Sequence, residues 1–450
     1  MNYTESLEFL HGLGRFGVKP GLARVEALLS MAGNPEKGLN IVHVAGTNGK
    51  GSVSSMVESV LRHAGYRTGL YTSPHLVSFT ERIKFQGRDI PPWKVAEILT
   101  RIKPYVEGLS ASDDPGTPTE FEVATAMAFI YFREMQVDFA VIEVGLGGRF
   151  DATNVVIPMV SVITHISYDH MKTLGNTLSE IAMEKAGIIK PGVPVVSSPQ
   201  DPEALQVIEG TCEERRAKLT LVGRDVVYLR KTPCREGTIS ERLCGEVCDI
   251  SGRVAGRDMA YRDIRIPLLG PHQVENCATA IAAIEELRGA GVFITDADIR
   301  HGVEKVRWPG RFEVVSTRPY VILDGAHNPD GMKRLLDSLE EVTGMPDFTG
   351  NVIFVLGLSR DKPGRDMVGM LAHRVDHIIA TRARSSRVGT WEPAHIRGWA
   401  EEFKIPASCE DDARTAVEKG REIAGPGDLL VVAGSLYLVG EVYDMFCPGI

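Results

Sequence analysis

The chain has 450 residues, 43% hydrophobic and 24% charged, with a formal net charge of −9. That balance belongs to a folded protein with room for two or three cores and excludes a disordered chain. Its basic residues are scattered, which argues against nucleic acid or an anionic membrane surface as partner, and no apolar stretch reaches the length of a span. The N-terminus carries acids early and no long apolar segment, so the reading is a cytoplasmic protein acting on small molecules. Seven cysteines, odd in number and widely spread, do not make a disulfide framework. Cys212, Cys234, Cys244 and Cys248 fall close together but lack the paired spacing of a zinc knuckle, so free thiols are the preferred reading.

In chain order, β-rich runs alternate with helical patterns. "LNIVHVAG" precedes the amphipathic "KGSVSSMVESVLRHAG", and "RTGLYTS" precedes a helix from about Pro92. "FEVATAMAFIYFREM" is followed by "VDFAVIEVG", and "MVSVITHI" and "VPVVSS" flank the helical "LSEIAMEKAGII". "HQVENCATAIAAIEELRGAG" is a further helix ended by glycine. Such alternation predicts an α/β fold with a parallel sheet. At Trp308-Pro309-Gly310 it starts afresh with "YVILDGAHNPDGMKRLLDSL", "NVIFVLGLS", "HIIAT" and "DLLVVAGS". The expected division is therefore 1–308 and 309–450, the second domain having about 140 residues, an ordinary size.

In open α/β sheets ligands sit beyond the carboxyl ends of the strands, and here the residues following the strands are polar. Gly46, Gly49 and Gly51 allow a tight turn that aims N–H groups at an anion, the following helix adds its positive end, and Lys50 adds a full charge. Gly51 stands between Lys50 and Ser52, so the simple P-loop pattern is not met, although strand, loop and helix occur in the required order. Glu143 lies among aliphatics in "FAVIEVG", where a carboxylate needs compensation; magnesium shared with a hydroxyl and nucleotide phosphates supplies it, and a salt bridge is the plainer alternative. His170, beside Asp169, is either a capping or packing histidine or a metal or phosphate ligand. Lys185 sits among apolar residues on a helix, where a snorkelling surface lysine is the common case. Asp324, His327 and Asn328 occupy another strand-to-helix loop, and Arg311 opens the second domain.

Taken together, "FGVKPGLARVEALL", "HVAGTNGKGS", "YTSPHLVSFTERI", "EVGLGGRFDATN", "DHMKTLG", "IAMEKAGIIKPG", "LLGPHQVENCATA", "WPGRFEVV", "ILDGAHNPDG" and "GSLYLVGEV" resemble, in order and over nearly the whole chain, the folylpolyglutamate synthase and dihydrofolate synthase family of the Mur ligase superfamily. The resemblance implies a Mur-ligase-like P-loop ATP-binding domain followed by a smaller Rossmann-like α/β glutamate-ligase domain. It also implies an ATP-dependent amide ligase that joins L-glutamate to a folate or to dihydropteroate through an acyl phosphate, with the second domain closing over the first. The extra glycine after the lysine is what that family's loop has. By resemblance Asn48, Gly49, Lys50, Gly51 and Ser52 hold the ATP phosphates, and Ser73, Glu143 and His170 hold magnesium, two ions in all. Asn276, Arg311, Asp324 and His327 match nucleotide-contacting positions. Thr119, Glu120, Phe121 and Glu122, with Phe150, Asp151 and Ala152, match pterin- or folate-binding segments. The resemblance further implies that Lys185 is carbamylated, and that its neighbours Ile181, Ala182, Ala186 and Ile188 favour the neutral amine this requires. Lys50, Glu143, His170 and Lys185 are thus the expected catalytic set, in an enzyme expected to act as a monomer. A peptidoglycan-type Mur ligase would need a nucleotide-sugar domain ahead of the loop, and only 45 residues precede Gly46. A P-loop switch or motor is the alternative from another class; its hydrolysis would respond to a macromolecule.

Overall fold

The computed structural model describes residues 1–14, 21–111, 114–231, 238–386 and 389–447. The "FGVKP" opening of the first family-like motif and Cys234 lie outside them. The chain folds as two compact units, one made of Met1–Tyr228, Ile250–Tyr261 and Glu275–Lys305, the other of Leu229–Asp249, Arg262–Val274 and Val306–Ile450. The second unit thus takes in two stretches that precede the restart at Trp308.

The first unit is built on eight strands: β1 (Asn40–Ala45), β2 (Thr68–Tyr71), β3 (Ile83–Phe85), β4 (Arg88–Asp89), β5 (Phe139–Glu143), β6 (Val160–Ile163), β7 (Val195–Ser197) and β8 (Leu219–Leu221). Their order in the sheet is β4-β3-β2-β5-β1-β6-β7-β8. β1, β2, β5 and β6 are buried along almost their whole length, which is why they read as continuous apolar runs rather than alternating ones. They pair in parallel, with Tyr71 opposite Ile142, Val44 opposite Glu143 and Ala45 opposite Ile163. Their carboxyl ends therefore finish side by side, so the polar residues that follow these strands lie along one edge of the sheet. At the other side β3 and β4 turn antiparallel, an edge hairpin that the alternation of strand and helix does not announce.

The helix Lys50–His63 packs deeply because four of its residues are serines. Ser59 Oγ donates to Gly302 O at 2.7 Å, and a Cβ built on Gly302 would lie 2.4 Å from Val60 Cα, so the helix Asp296–Glu304 approaches at backbone distance. Two hydrophobic cores flank this sheet, one around Phe129, Phe132 and Ile142, the other around Ile163, Ile181 and Ile188.

β9 (Val226–Lys231), β10 (Glu246–Val254) and β11 (Arg257–Ile266) make a sheet in the order β11-β10-β9. In the second unit β12 (Glu313–Thr317), β13 (Tyr320–Leu323), β14 (Val352–Leu356), β15 (His377–Ala380), β16 (Ala407–Cys409) and β17 (Leu429–Ala433) are ordered β12-β13-β17-β14-β15-β16, parallel from β13 onward. Its core gathers Phe354, Leu356 and Val431 with Ile239 and Leu269, which arrive from the two earlier stretches. Among the described residues Cys212 and Cys248 are buried and Cys244 is exposed, all as free thiols. Among them too, no helix is long and apolar enough to cross a membrane.

Candidate active site

The loop after β1 carries the first group of residues. Gly49 adopts φ +89°, the left-handed region open to glycine at no steric cost, and caps the helix that Lys50 begins. The first N–H groups of that helix have no acceptor within it and face the loop's concavity, an arrangement suited to an anion. Lys50 Nζ folds back on the carbonyls of Gly46 (3.2 Å) and Thr47 (3.1 Å). The loop is held from the β6 side: Thr47 and Asn48 donate their amides to His165 O, and Thr47 Oγ1 exchanges hydrogen bonds with the Ser167 backbone. A Cβ on Gly49 would lie 2.4 Å from Asn276 Oδ1, so buried Asn276 is packed against the turn itself.

Lys185 reaches the same loop from the last turn of the helix Leu178–Ala186, donating from Nζ to Gly46 O at 2.8 Å. It is only 4% exposed. Burial, aided by the Lys50 charge and opposed by Asp169 and Asp151, brings its pKa down to about 7. Two ammonium groups thus meet one carbonyl, and one of them is close to losing its proton at neutral pH.

Glu143 ends β5, buried, and accepts from Ser73 N at 3.3 Å. His170 stands beyond β6 in a left-handed conformation (φ 50°), its amide donating to Asp169 Oδ1. Among the described residues no three His, Cys, Asp or Glu side chains form a ready metal cage. Magnesium takes one or two carboxylates and completes its shell with phosphate oxygens and water. Glu143 and Ser73 carry hard oxygen donors and lie in contact through the Ser73 amide, and His170 carries a softer nitrogen donor.

The remaining residues of the first unit have mixed surroundings. Thr119 caps the helix Glu120–Glu134 in a reciprocal box with Glu122, whose carboxylate also pairs with Arg24 at 2.9 Å. Phe121 stacks on Tyr71, and Gly145 closes against its ring. Phe150 is exposed beneath the Arg149 guanidinium. Asp151 is buried, which pushes its pKa up, and its oxygens accept from Leu146 N and from the amide and hydroxyl of Thr153. Thr153 in turn meets His43 Nε2 at 2.8 Å. Since the Thr153 hydroxyl proton goes to Asp151, His43 must be the donor; burial holds its pKa near 3, so it stays neutral. Ala152 is buried behind this chain.

In the second unit Asp324 follows directly on β13, its carboxylate accepting from Phe312 N (2.7 Å) and Ala326 N (2.8 Å). Burial raises its pKa, against the lowering effects of Arg311 and those two amides. Arg311 lies against Gly325, where a Cβ would fall 2.5 Å from its Nη1, and His327 Nδ1 bonds Gly325 O. Arg311, Asp324 and His327 therefore share one loop cluster.

A family model of the Mur ligase middle domain matches residues 44–284, and one of the Mur ligase glutamate ligase domain matches 310–436. A Bacillus subtilis protein named dihydrofolate synthase/folylpolyglutamate synthase is 38% identical over 448 residues, covering 98% of each chain. The chain belongs to the folylpolyglutamate synthase/dihydrofolate synthase family. As a Mur-type member of that family it is an ATP-dependent ligase. A Mycobacterium tuberculosis folylpolyglutamate synthase, solved with ADP and AMPPCP, superposes with a TM-score of 0.86 at 32% identity, covering 99% of both chains. Escherichia coli FolC in complex with DHPP and ADP gives 0.84 at 29%, over 99% of this chain and 97% of that one. In this folylpolyglutamate synthase relative, Thr47 and Ser167, from the polar stretches after β1 and β6, brace the loop that Lys50 closes, and the residues that motif reading passes over are His43, Thr153 and Asn154, which brace the loop after Glu143. His43 carries no signal of that role, being one residue in an apolar run.

Proposed function

We propose that this chain joins the amino group of L-glutamate to the carboxylate of a folate, of dihydropteroate, or of each in turn, at the expense of ATP. The observation that carries this reading is the edge where β2, β5, β1 and β6 end side by side, with a helix start and Lys50 after β1, Glu143 at the end of β5, and the Lys185 nitrogen reaching the loop after β1 from its helix. A carboxylate oxygen of the acceptor attacks the terminal phosphorus of ATP, and ADP leaves. The glutamate amine, as free base, then attacks the resulting acyl phosphate; its proton is lost and inorganic phosphate departs, leaving an amide. Lys50 and the helix N–H groups hold the phosphate oxygens and offset the negative charge that builds as two anions meet. Magnesium, held by Glu143, the Ser73 hydroxyl and His170, would supply the remaining charge neutralisation. Asn276, Arg311, Asp324 and His327 match the family's nucleotide-contacting positions, and the segments 119–122 and 150–152 match its pterin-binding ones.

Lys185 acts as a carbamate in this reading. Its neutral amine attacks carbon dioxide, a C–N bond forms, the nitrogen proton is released, and the product is an anion on a long stem. Burial among Ile181, Ala182 and Ala186 and the depressed pKa favour that step. The enzyme works as a cytoplasmic monomer, and a sedimentation result showing an obligate dimer with a shared site would overturn that part.

Mass spectrometry of reactions with ATP, L-glutamate and either dihydropteroate or tetrahydrofolate tests the whole. A mass gain of one glutamyl residue on either acceptor is expected. Phosphate release indifferent to glutamate and acceptor, yet stimulated by a macromolecule, would instead establish the switch or motor reading.

A further inference from the structure

Asn154 is buried, and its single side-chain amide spans two segments far apart in sequence. Nδ2 donates to Arg149 O at 3.0 Å and to Gly187 O at 3.1 Å. With two carbonyls in front of it the amide must present nitrogen, leaving Oδ1 buried without a hydrogen-bond donor. The backbone O of Asn154 accepts from Lys190 Nζ at 3.0 Å. Around this amide the loop after Glu143 and the end of the helix carrying Lys185 touch at backbone distance. Arg149 N donates to Glu184 O at 2.7 Å. A Cβ on Gly148 would lie 2.8 Å from Glu184 O and 2.9 Å from Lys185 O, and one on Gly187 would lie 2.4 Å from Arg149 Cα. Nothing in the nucleotide or folate assignments uses Asn154, yet a buried amide with an orphaned oxygen is costly to keep.

We propose that Asn154 is a positioning residue that locks the Lys185 helix end to the 145–154 loop and so fixes the Lys185 amine against Gly46 of the phosphate loop. The lock acts two residues beyond Lys185, at the carbonyl of Gly187, past the helix end, where the backbone amides of Gly187, Ile188 and Ile189 still bond back to the Lys185 and Ala186 carbonyls but the Gly187 carbonyl is taken up by Asn154. Without it the last turn frays, the amine leaves its buried place and water reaches it. The proposal rests on the reading that Lys185 takes part in ligation.

The test substitutes Asn154→Leu, which keeps nearly the same shape without the polar amide and removes both donated bonds, and Asn154→Ser, which is smaller and keeps one donor. The readout is the pH dependence of Lys185 acetylation by trace acetic anhydride in bicarbonate-free buffer, followed by peptide mass spectrometry, beside kcat and KM. The charged groups that set this titration are Lys50, Asp169 and Asp151, all left unchanged. In folded Asn154→Leu the labelling midpoint should move up by about one pH unit, an approximately fivefold loss of labelling at pH 7. The value of kcat should fall about tenfold or more, with KM for ATP and glutamate within about twofold. Asn154→Ser should lie between the two, and it carries the same measurement if the leucine protein does not fold. An unchanged labelling midpoint in a folded variant overturns the proposal whatever the activity does. A shifted midpoint in a protein whose wild type forms no glutamyl product overturns the ligase reading and leaves the lock standing.

Discussion

Replacing Gly49 by alanine perturbs the phosphate loop at its tightest point. At φ +89° the left-handed conformation costs an L-residue about 1–2 kcal/mol. The added Cβ also meets Asn276 Oδ1 at 2.4 Å, roughly 1 Å inside ordinary van der Waals contact, with Cγ and Nδ2 at 3.3 and 3.5 Å. All three atoms belong to the Asn276 side chain, so the cheapest relief is for that side chain to swing away; the nucleotide hydrogen bond proposed for Asn276 would then be lost at about 1 kcal/mol, or roughly fivefold in KM for ATP. Urea unfolding should therefore show a loss of about 1–2 kcal/mol, and steady-state kinetics a rise in KM for ATP. The two effects separate in a double-mutant cycle with Asn276→Ala, which removes the clash but not the backbone strain. Gly49→Ala/Asn276→Ala should bind ATP no worse than Asn276→Ala alone, while keeping the stability loss. Additive effects on KM, or a Gly49→Ala protein with unchanged urea midpoint and KM, would refute this account of the turn.

Lys50→Ala and Glu143→Ala should each abolish glutamyl product while leaving far-ultraviolet circular dichroism unchanged, and near-normal turnover in either would remove it from the catalytic set. Lys185→Ala should be almost inactive and regain partial activity with acetate or formate; substantial activity in Lys185→Arg would count against the carbamate. Because the neutral amine is the reactive form, bicarbonate-dependent activation should rise with pH through about 7, and a flat profile from about pH 6 to 8 argues otherwise. His43 and His272 both have folded pKa values near 3 against 6.5 for the free side chain. Below about pH 6.5 the unfolded chain then binds more protons, so stability should fall as pH drops toward 3, less steeply in His43→Gln. Identical slopes in urea melts of that variant and wild type would dissociate His43 from the acid response.

Much of the fold can be read before any coordinates, and for local reasons. β5 is legible because its residues are buried on both faces, so "FAVIEVG" carries one continuous apolar signal ending in a conspicuous acid. Lys185 stands out because its apolar neighbours are adjacent on its own helix. What stays hidden depends on distant partners. The cap pattern Thr119-x-x-Glu122 is visible in the sequence, but the Arg24 that engages the same glutamate is 98 residues away. Asp151 turns inward because His43 and Thr153 wait behind it, one of them on a strand more than a hundred residues earlier. Leu229–Asp249 and Arg262–Val274 carry no strand–helix alternation to link them with the C-terminal sheet; their membership rests on Ile239 and Leu269 filling its core.

That interleaving bears on how the chain can be made and cut. A ribosome releases Ile239 and Leu269 long before β13, β14 and β17, so those side chains have no finished core to enter while the first sheet is being completed. The second unit cannot close until the last strand, β17, has emerged, because that strand lies between β13 and β14 in the middle of its sheet. A fragment beginning at Trp308 would lack two of the buried side chains of its own core, and one ending there would carry them with nothing to cover them. Splitting the gene at the apparent restart would therefore divide a core instead of separating two modules.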